Sequence, residues 1–186
     1  MPDREQHIAL YPGTFDPVTF GHIDIIERGR RIFDRIVVGV GQNPDKQTLF
    51  SADERLVMVS ELLDDLVRRE PRGAGVEAVS YSGLTVDIAR QAGATVLLKG
   101  IRNVSDLQYE IQQAVTNRRV AALETAFVVA KQDYAFTSST LIRQVAAMGH
   151  DLNALSSMCP QQVIDRLREK KAQDPGAFRH IMVENI

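Results

Sequence analysis

Five short stretches of this chain carry residue types suited to one chemistry, the handling of phosphate. The first is Thr19-Phe20-Gly21-His22, a turn-rich passage that opens an amphipathic segment (Ile23, Ile25, Ile26). A helix N-terminus presents unpaired N–H groups and the positive end of a dipole, which suits an anion. Histidine placed there offers a ring N–H to a phosphate oxygen, and the preceding glycine lets a ligand approach the backbone. The second is Lys46, in Gln42-Asn43-Pro44-Asp45-Lys46-Gln47. The third, Lys99-Gly100-Ile101-Arg102, flanks a glycine with two cations: arginine gives phosphate a planar fork, lysine a point charge. The fourth, Thr137-Ser138-Ser139-Thr140-Leu141-Ile142-Arg143, lines up four hydroxyls with an arginine one turn on. That is more than a helix cap needs. The fifth is Glu110, placed to orient Arg102, to touch a ribose, or simply to face solvent. Each stretch alone also has a plainer explanation: an exposed histidine by a cap, a solvated lysine, surface charges at a turn, an ordinary cap.

Other chemistries are missing. There is no GxxxxGK[ST] loop and no GxGxxG, no GxSxG elbow, and no metal-ligand spacing among the histidines at 7, 22, 150 and 180. No nucleophile stands beside a base. Phosphoryl-type transfer needs neither, because positioning and charge stabilisation supply most of its catalysis.

These residues must be brought together by a fold. Apolar runs at 8–11, 36–40, 76–81, 95–98 and 126–130 predict strands, several apolar on both faces as buried parallel strands are. Helical patterns fall between them at 21–33, 52–69, 85–91, 106–123 and 139–148, with a last one at 161–171. Ser51 with Glu54, and Ser105 with Gln108, form capping-box patterns. Gly93 and Gly149 fall where helices should stop. The alternation predicts right-handed βαβ units: a Rossmann-like, doubly wound α/β fold, with a five-stranded parallel sheet, helices on both faces and a C-terminal helix. Ligands of such sheets sit beyond the carboxyl ends of the strands, which points to the segments 13–22, 41–48, 82–85, 99–106 and 131–143 that follow the strands. The reading is one domain over residues 1–171 and an extension over 172–186, the latter either docked or frayed.

The 186 residues include 44% hydrophobic and 25% charged, with net charge −2. This lacks the basic footprint of a duplex nucleic-acid binder, so phosphates must be met by a local cluster. The single cysteine, Cys159, excludes an intrachain disulfide and fits a reducing cytoplasm. No run approaches the ~18 apolar residues of a membrane span, and the first seven residues lack a signal-peptide pattern.

The (T/H)xGH pattern at 19–22 resembles that of the nucleotidylyltransferase superfamily. YPGTFDPVTFGHIDII, Asn43-Pro44-Asp45-Lys46, GIRNVSDLQYE and TSSTLIR, in this order, resemble bacterial phosphopantetheine adenylyltransferases from about residue 8 to 170. The resemblance implies transfer of the adenylyl group of ATP to 4′-phosphopantetheine, giving dephospho-coenzyme A and pyrophosphate. It also implies magnesium carried by ATP with no metal ligand of the protein, feedback by coenzyme A, a homohexamer, and no nucleic-acid or membrane partner. Carried over by position, His22, Lys46, Arg102 and Ser139 are the catalytic set. Thr14, Phe15, Gly100, Ile101, Glu110, Tyr134, Ala135, Phe136, Thr137, Ser138 and Thr140 join His22, Arg102 and Ser139 around ATP. Thr14, Lys46, Thr85 and Lys99 face the acceptor. The family usually reads RGLR where this chain has Lys99-Gly100-Ile101-Arg102; lysine keeps the charge without the fork, so a weaker or altered grip on the acceptor phosphate is expected. The alternatives are an adenylyltransferase for nicotinate or nicotinamide mononucleotide, and a non-catalytic nucleotide sensor.

Overall fold

The computed structural model describes residues 6–43, 47–149, 151–179 and 181. Among them, strands β1 (Ile8–Gly13), β2 (Arg35–Gln42), β3 (Gly75–Ser82), β4 (Val96–Ile101) and β5 (Glu124–Val129) alternate with helices α1 (Phe20–Gly29), α2 (Ala52–Arg69), α3 (Thr85–Gln91), α4 (Val104–Ala121) and α5 (Ser139–Ala147). Helix α6 (Gln161–Gln173) follows. All pairings are parallel, in the order β3-β2-β1-β4-β5. This is the doubly wound α/β sheet that the alternation predicts.

Strand side chains alternate between two cores, as the pleat requires. Ala9, Tyr11, Ile36, Val38 and Leu98 face a large cluster completed by α1, α2, α5 and α6. Leu10, Val37 and Leu97 face a smaller one with Val86 and Ala89 of α3 and with Leu123.

The register creates the site. β1 pairs with β2 along its whole length, Ile8 to Gly13, but with β4 only at Ala9 and Leu10. β4 meanwhile continues beside β5 to Ile101. The sheet therefore parts between β1 and β4 at their carboxyl ends, which is the topological switch point and the usual ligand crevice.

Several details depart from the sequence reading. β1 does not break at Pro12 but runs to Gly13, because proline needs no N–H on the side where β4 has turned away. β4 extends through Lys99 and Gly100, which belong to the strand and not to a loop after it. α1 stops at Gly29, four residues early. A Cβ there would lie 2.8 Å from both Ile36 Cδ1 and Leu98 Cδ2, so the helix end presses on the sheet and turns away. Ser51 and Glu54 do form a capping box, but Ser105 and Gln108 do not. Asn103 caps α4, its Oδ1 accepting the Asp106 N–H at 2.9 Å, so the helix starts at Val104. The C-terminal segment is docked as far as Ile181: Phe178 is 3% exposed and Ile181 5%.

Candidate active site

The loop from Gly13 to Thr19 carries the first group of candidate residues, and two buried charges hold it. Asp16, 1% exposed, accepts the N–H groups of Leu49 (2.8 Å) and Phe50 (2.9 Å). Arg55, 2% exposed, donates to the carbonyls of Phe50 (3.1 Å), Thr14 (2.7 Å) and Gly41 (2.9 Å). Phe15 is driven into a left-handed conformation (φ +52°), unusual for an aromatic residue. Its ring is buried beneath Gly13 and lies edge-on to the rings of Tyr11 (5.5 Å) and His22 (5.0 Å).

His22 is fixed by its own helix end. Thr19 caps α1, its Oγ1 accepting the His22 N–H (3.3 Å), while His22 Nδ1 accepts the Thr19 N–H (3.0 Å). The imidazole thus does the work of the glutamate in a capping box. A backbone N–H can only donate, so Nδ1 carries no proton and the neutral ring holds its hydrogen on Nε2. Burial, and then the positive charge of Arg102, pull the His22 pKa from 6.5 to about 4. At neutral pH the side chain is therefore an uncharged, oriented N–H donor. It is neither a cation nor a base.

Across the cleft, Arg102 is locked in place. Its guanidinium donates Nε and Nη2 to the two oxygens of Asp106 (2.8 and 3.1 Å) and Nη1 to the Thr137 carbonyl (2.7 Å). This ties the end of β4 to α4 and to the loop that leads into α5. Lys99 Nζ lies 3.1 Å from Glu110 Oε2, both side chains about one-fifth exposed. That contact is an ion pair by distance, and Glu110 Oε2 is buried with no hydrogen-bond partner among the described residues. Glu110 therefore neighbours Lys99, while Asp106 takes the part of orienting Arg102.

At the start of α5, bonds within the protein account for two of the four hydroxyls. Ser138 is the N-cap, its Oγ accepting the Leu141 N–H at 3.1 Å. Ser139 donates its hydroxyl proton to the Pro17 carbonyl at 2.8 Å, pinning α5 to the first loop. Arg143 donates to the Asp16 carbonyl and sits 3.5 Å from Asp16 Oδ2.

These groups enclose one cavity of about 350 Å³ at the parted strands, with Thr14, Phe15, His22, Lys99, Gly100, Arg102, Glu110, Ser138, Ser139 and Thr140 on its walls. A second cavity of about 570 Å³ shares Pro12, Gly13, Thr14 and Lys99 with the first and extends to Tyr81, Thr85 and Tyr109. Ile101 is buried in the strand. Tyr134, Ala135, Phe136 and Thr137 do not line the first cavity: Tyr134 stacks on Phe20 (6.0 Å), and Phe136 is 89% exposed. Lys46 lies outside the described residues. Asp16, Arg55, Asp106 and Asp24 escaped the sequence reading. Asp24, 2% exposed, accepts the Lys131 N–H (2.9 Å) and Arg28 Nε (3.1 Å), anchoring the start of the loop that precedes α5. Arg55 did leave a trace: it falls in phase with the apolar stripe Met58, Val59, Leu62, Leu63 and Leu66 of α2.

Residues 10–145 match the cytidylyltransferase-like family model. A phosphopantetheine adenylyltransferase of Desulfosudis oleivorans is 46% identical over 164 residues, 88% of this chain and 92% of that protein. Another, from Gloeobacter violaceus, is 44% identical over 90% of this chain and 99% of its own. The chain belongs to the phosphopantetheine adenylyltransferase family. Outside that family the fold recurs in a putative nicotinate-nucleotide adenylyltransferase of Vibrio parahaemolyticus. It has a TM-score of 0.56 at 17% identity and covers 94% of this chain and 96% of that one. At that identity the likeness concerns the fold alone.

In this adenylyltransferase-family protein the His22 ring is expected to stay neutral, with its proton on Nε2, from pH 8 down to about pH 5. A histidine that resists protonation in the folded state, but not in the unfolded one, destabilises the fold as pH falls from 6.5 towards 4. Nitrogen-detected NMR of the imidazole against pH checks both tautomer and midpoint. A midpoint near 6.5, or a proton on Nδ1, contradicts the assignment.

Proposed function

We propose that this protein transfers the adenylyl group of ATP to 4′-phosphopantetheine, producing dephospho-coenzyme A and pyrophosphate. The observation that carries the reading is the convergence of His22, Arg102 and Ser139 on one cavity that runs on, past Lys99, into a second lined by Thr85. The first has donors suited to a triphosphate. The second is open and bordered by the exposed Leu84 and Tyr109, suited to an extended, mostly uncharged arm.

The reaction proposed is a single displacement. A phosphate oxygen of the acceptor attacks the α-phosphorus of ATP from the side opposite the leaving group. The new O–P bond forms as the bond to the α,β-bridging oxygen breaks, and pyrophosphate departs with that electron pair. A phosphate is already anionic near neutral pH, so no general base is required. His22 Nε2–H and the Arg102 guanidinium stabilise charge on the equatorial oxygens, and the free N–H groups at the start of α5 receive the leaving pyrophosphate. Lys46 is proposed to bridge the acceptor phosphate and the α-phosphate, and Lys99 to hold the acceptor phosphate. Thr14 orients the acceptor phosphate, and Glu110 is assigned to the ATP side. Among the described residues no three His, Cys, Asp or Glu side chains gather as a metal cage. Magnesium is proposed to arrive with ATP, bound through the triphosphate. Coenzyme A, which carries both an adenosine and a pantetheine arm, is expected to compete for the same two cavities.

Self-association is part of the proposal. α4 buries none of its residues and exposes Tyr109, Ile111, Val115 and Val120, and the adjoining edge strand β5 exposes Phe127 and Val129. Apolar side chains exposed on two sides of one helix and on one edge strand suit contact with further copies of the chain, a homohexamer in this reading.

A pyrophosphate-release assay with ATP and phosphopantetheine, run beside nicotinate mononucleotide, tests the function: release with the first acceptor alone is expected, and release with the second alone overturns it. In the same assay His22→Ala is expected to lose about 10²–10³ in kcat, the usual effect of removing one oriented donor. Near-normal turnover would remove His22 from the mechanism. Lys99→Arg is expected to lower the KM for phosphopantetheine by restoring the planar fork; an unchanged KM refutes a specific cost of lysine at this position.

A further inference from the structure

Helix α5 is only nine residues long, and its N-terminal half forms one wall of the nucleotide cavity. Its two ends are held by different parts of the chain. At the cavity end, Ser139 and Arg143 are bonded to the carbonyls of Pro17 and Asp16. At the far end, the Ala146 carbonyl receives the Lys171 Nζ–H at 2.7 Å, which places an ammonium at the negative end of the helix dipole. The Lys171 Nζ in turn lies 5.9 Å from the centre of the Phe178 ring.

Phe178 belongs to the 3₁₀ turn Pro175–Phe178, which Asp174 caps by accepting the Ala177 N–H at 3.1 Å. The turn packs on both α5 and α6. Phe178 and Ile181 join the same buried cluster as Ile142 and Ala146, the two fully buried residues of α5. So the segment after α6 makes no wall of the cavity, yet it fixes the helix that does.

We propose that residues 174–179 and Ile181, together with Lys171, are a positioning brace that sets the angle of α5 and thereby the affinity of the site for ATP. The proposal rests on the assignment of the first cavity to ATP. A helix of nine residues moves as one body, so freeing its far end shifts Ser139, Thr140 and Arg143 together. Binding energy is lost where these groups meet the triphosphate, while the reacting groups on β1, α1 and β4 keep their places.

The test is equilibrium binding of ATP by calorimetry, on the full chain and on three variants: Phe178→Ala, Lys171→Met and a chain ending at Gln173. Each is measured where circular dichroism shows it folded. Leu123→Ala, which opens a hole in the other core cluster, controls for lost stability alone. Coupling through packed side chains typically amounts to about 2- to 30-fold in affinity. On that scale the brace requires a rise of about fivefold or more in ATP Kd for Phe178→Ala and the shortened chain, and about twofold for Lys171→Met. The control should stay within about twofold of the parent. If the shortened chain does not fold, the two point variants decide. Folded point variants that bind ATP like the parent overturn the brace, as does a control weakened as much as Phe178→Ala. A parent chain that binds no ATP overturns the functional reading itself, and the brace with it.

Discussion

Asp16 and Arg55 are buried charges that each gather backbone groups, and the site is built around them. The carboxylate collects two N–H groups from the segment before α2. The guanidinium collects three carbonyls from that segment, from the first loop and from the end of β2. Withdrawing such ions from water costs several kcal/mol each. Charge-assisted hydrogen bonds return about 1.5–3 kcal/mol apiece. Two or three bonds per ion offset the penalty only if all form together, so the arrangement is specific as well as stable. Remove one partner and a loop that carries Thr14 and Phe15 loses its fixed course.

From that fixed loop the rest of the cleft follows. Thr19 ends the loop and caps α1, and the return bond to His22 Nδ1 decides which ring nitrogen keeps the proton. Asp16 and Pro17 also offer the carbonyls to which α5 is pinned. On the other wall, Asp106 and the Thr137 carbonyl hold Arg102. Donors are therefore aimed before any ligand arrives, which is the condition for electrostatic stabilisation without reorganisation. A chain of net charge −2 can hold a polyanion because its cations are gathered at one sheet edge, and because its histidine contributes a dipole and not a charge.

The sequence made the fold legible because period and alternation are local signals: each strand and α-helix among the described residues appeared, most of them to within a few residues, while the short 3₁₀ turns did not. The errors fell where tertiary contact overrides local preference, as at Gly29, where the helix meets the sheet, and at Lys99, where β5 draws the strand onward. The cavity residues were legible as types, since loops after strands in an α/β sheet face the ligand. Their partners were not. Nothing in the sequence tells Asp106 from Glu110 as the companion of Arg102; that choice is made by where α4 begins, at Asn103 and not Ser105. The structural uses of Ser138 and Ser139 were equally hidden, because a cap and a phosphate ligand call for the same hydroxyl. Asp16 read as a polar loop residue, and only its burial reveals it as a hub.

In the proposed mechanism the protein is a scaffold for one direct displacement at phosphorus, with no group of its own bonded to the adenylyl unit. The stereochemistry at the α-phosphorus tests this most directly. With ATP made chiral at that centre by sulfur and isotopic oxygen, and phosphopantetheine as acceptor, a single in-line attack gives dephospho-coenzyme A of inverted configuration. Retention would mean two successive displacements through a covalent adenylyl-enzyme, and would contradict the mechanism drawn from this site.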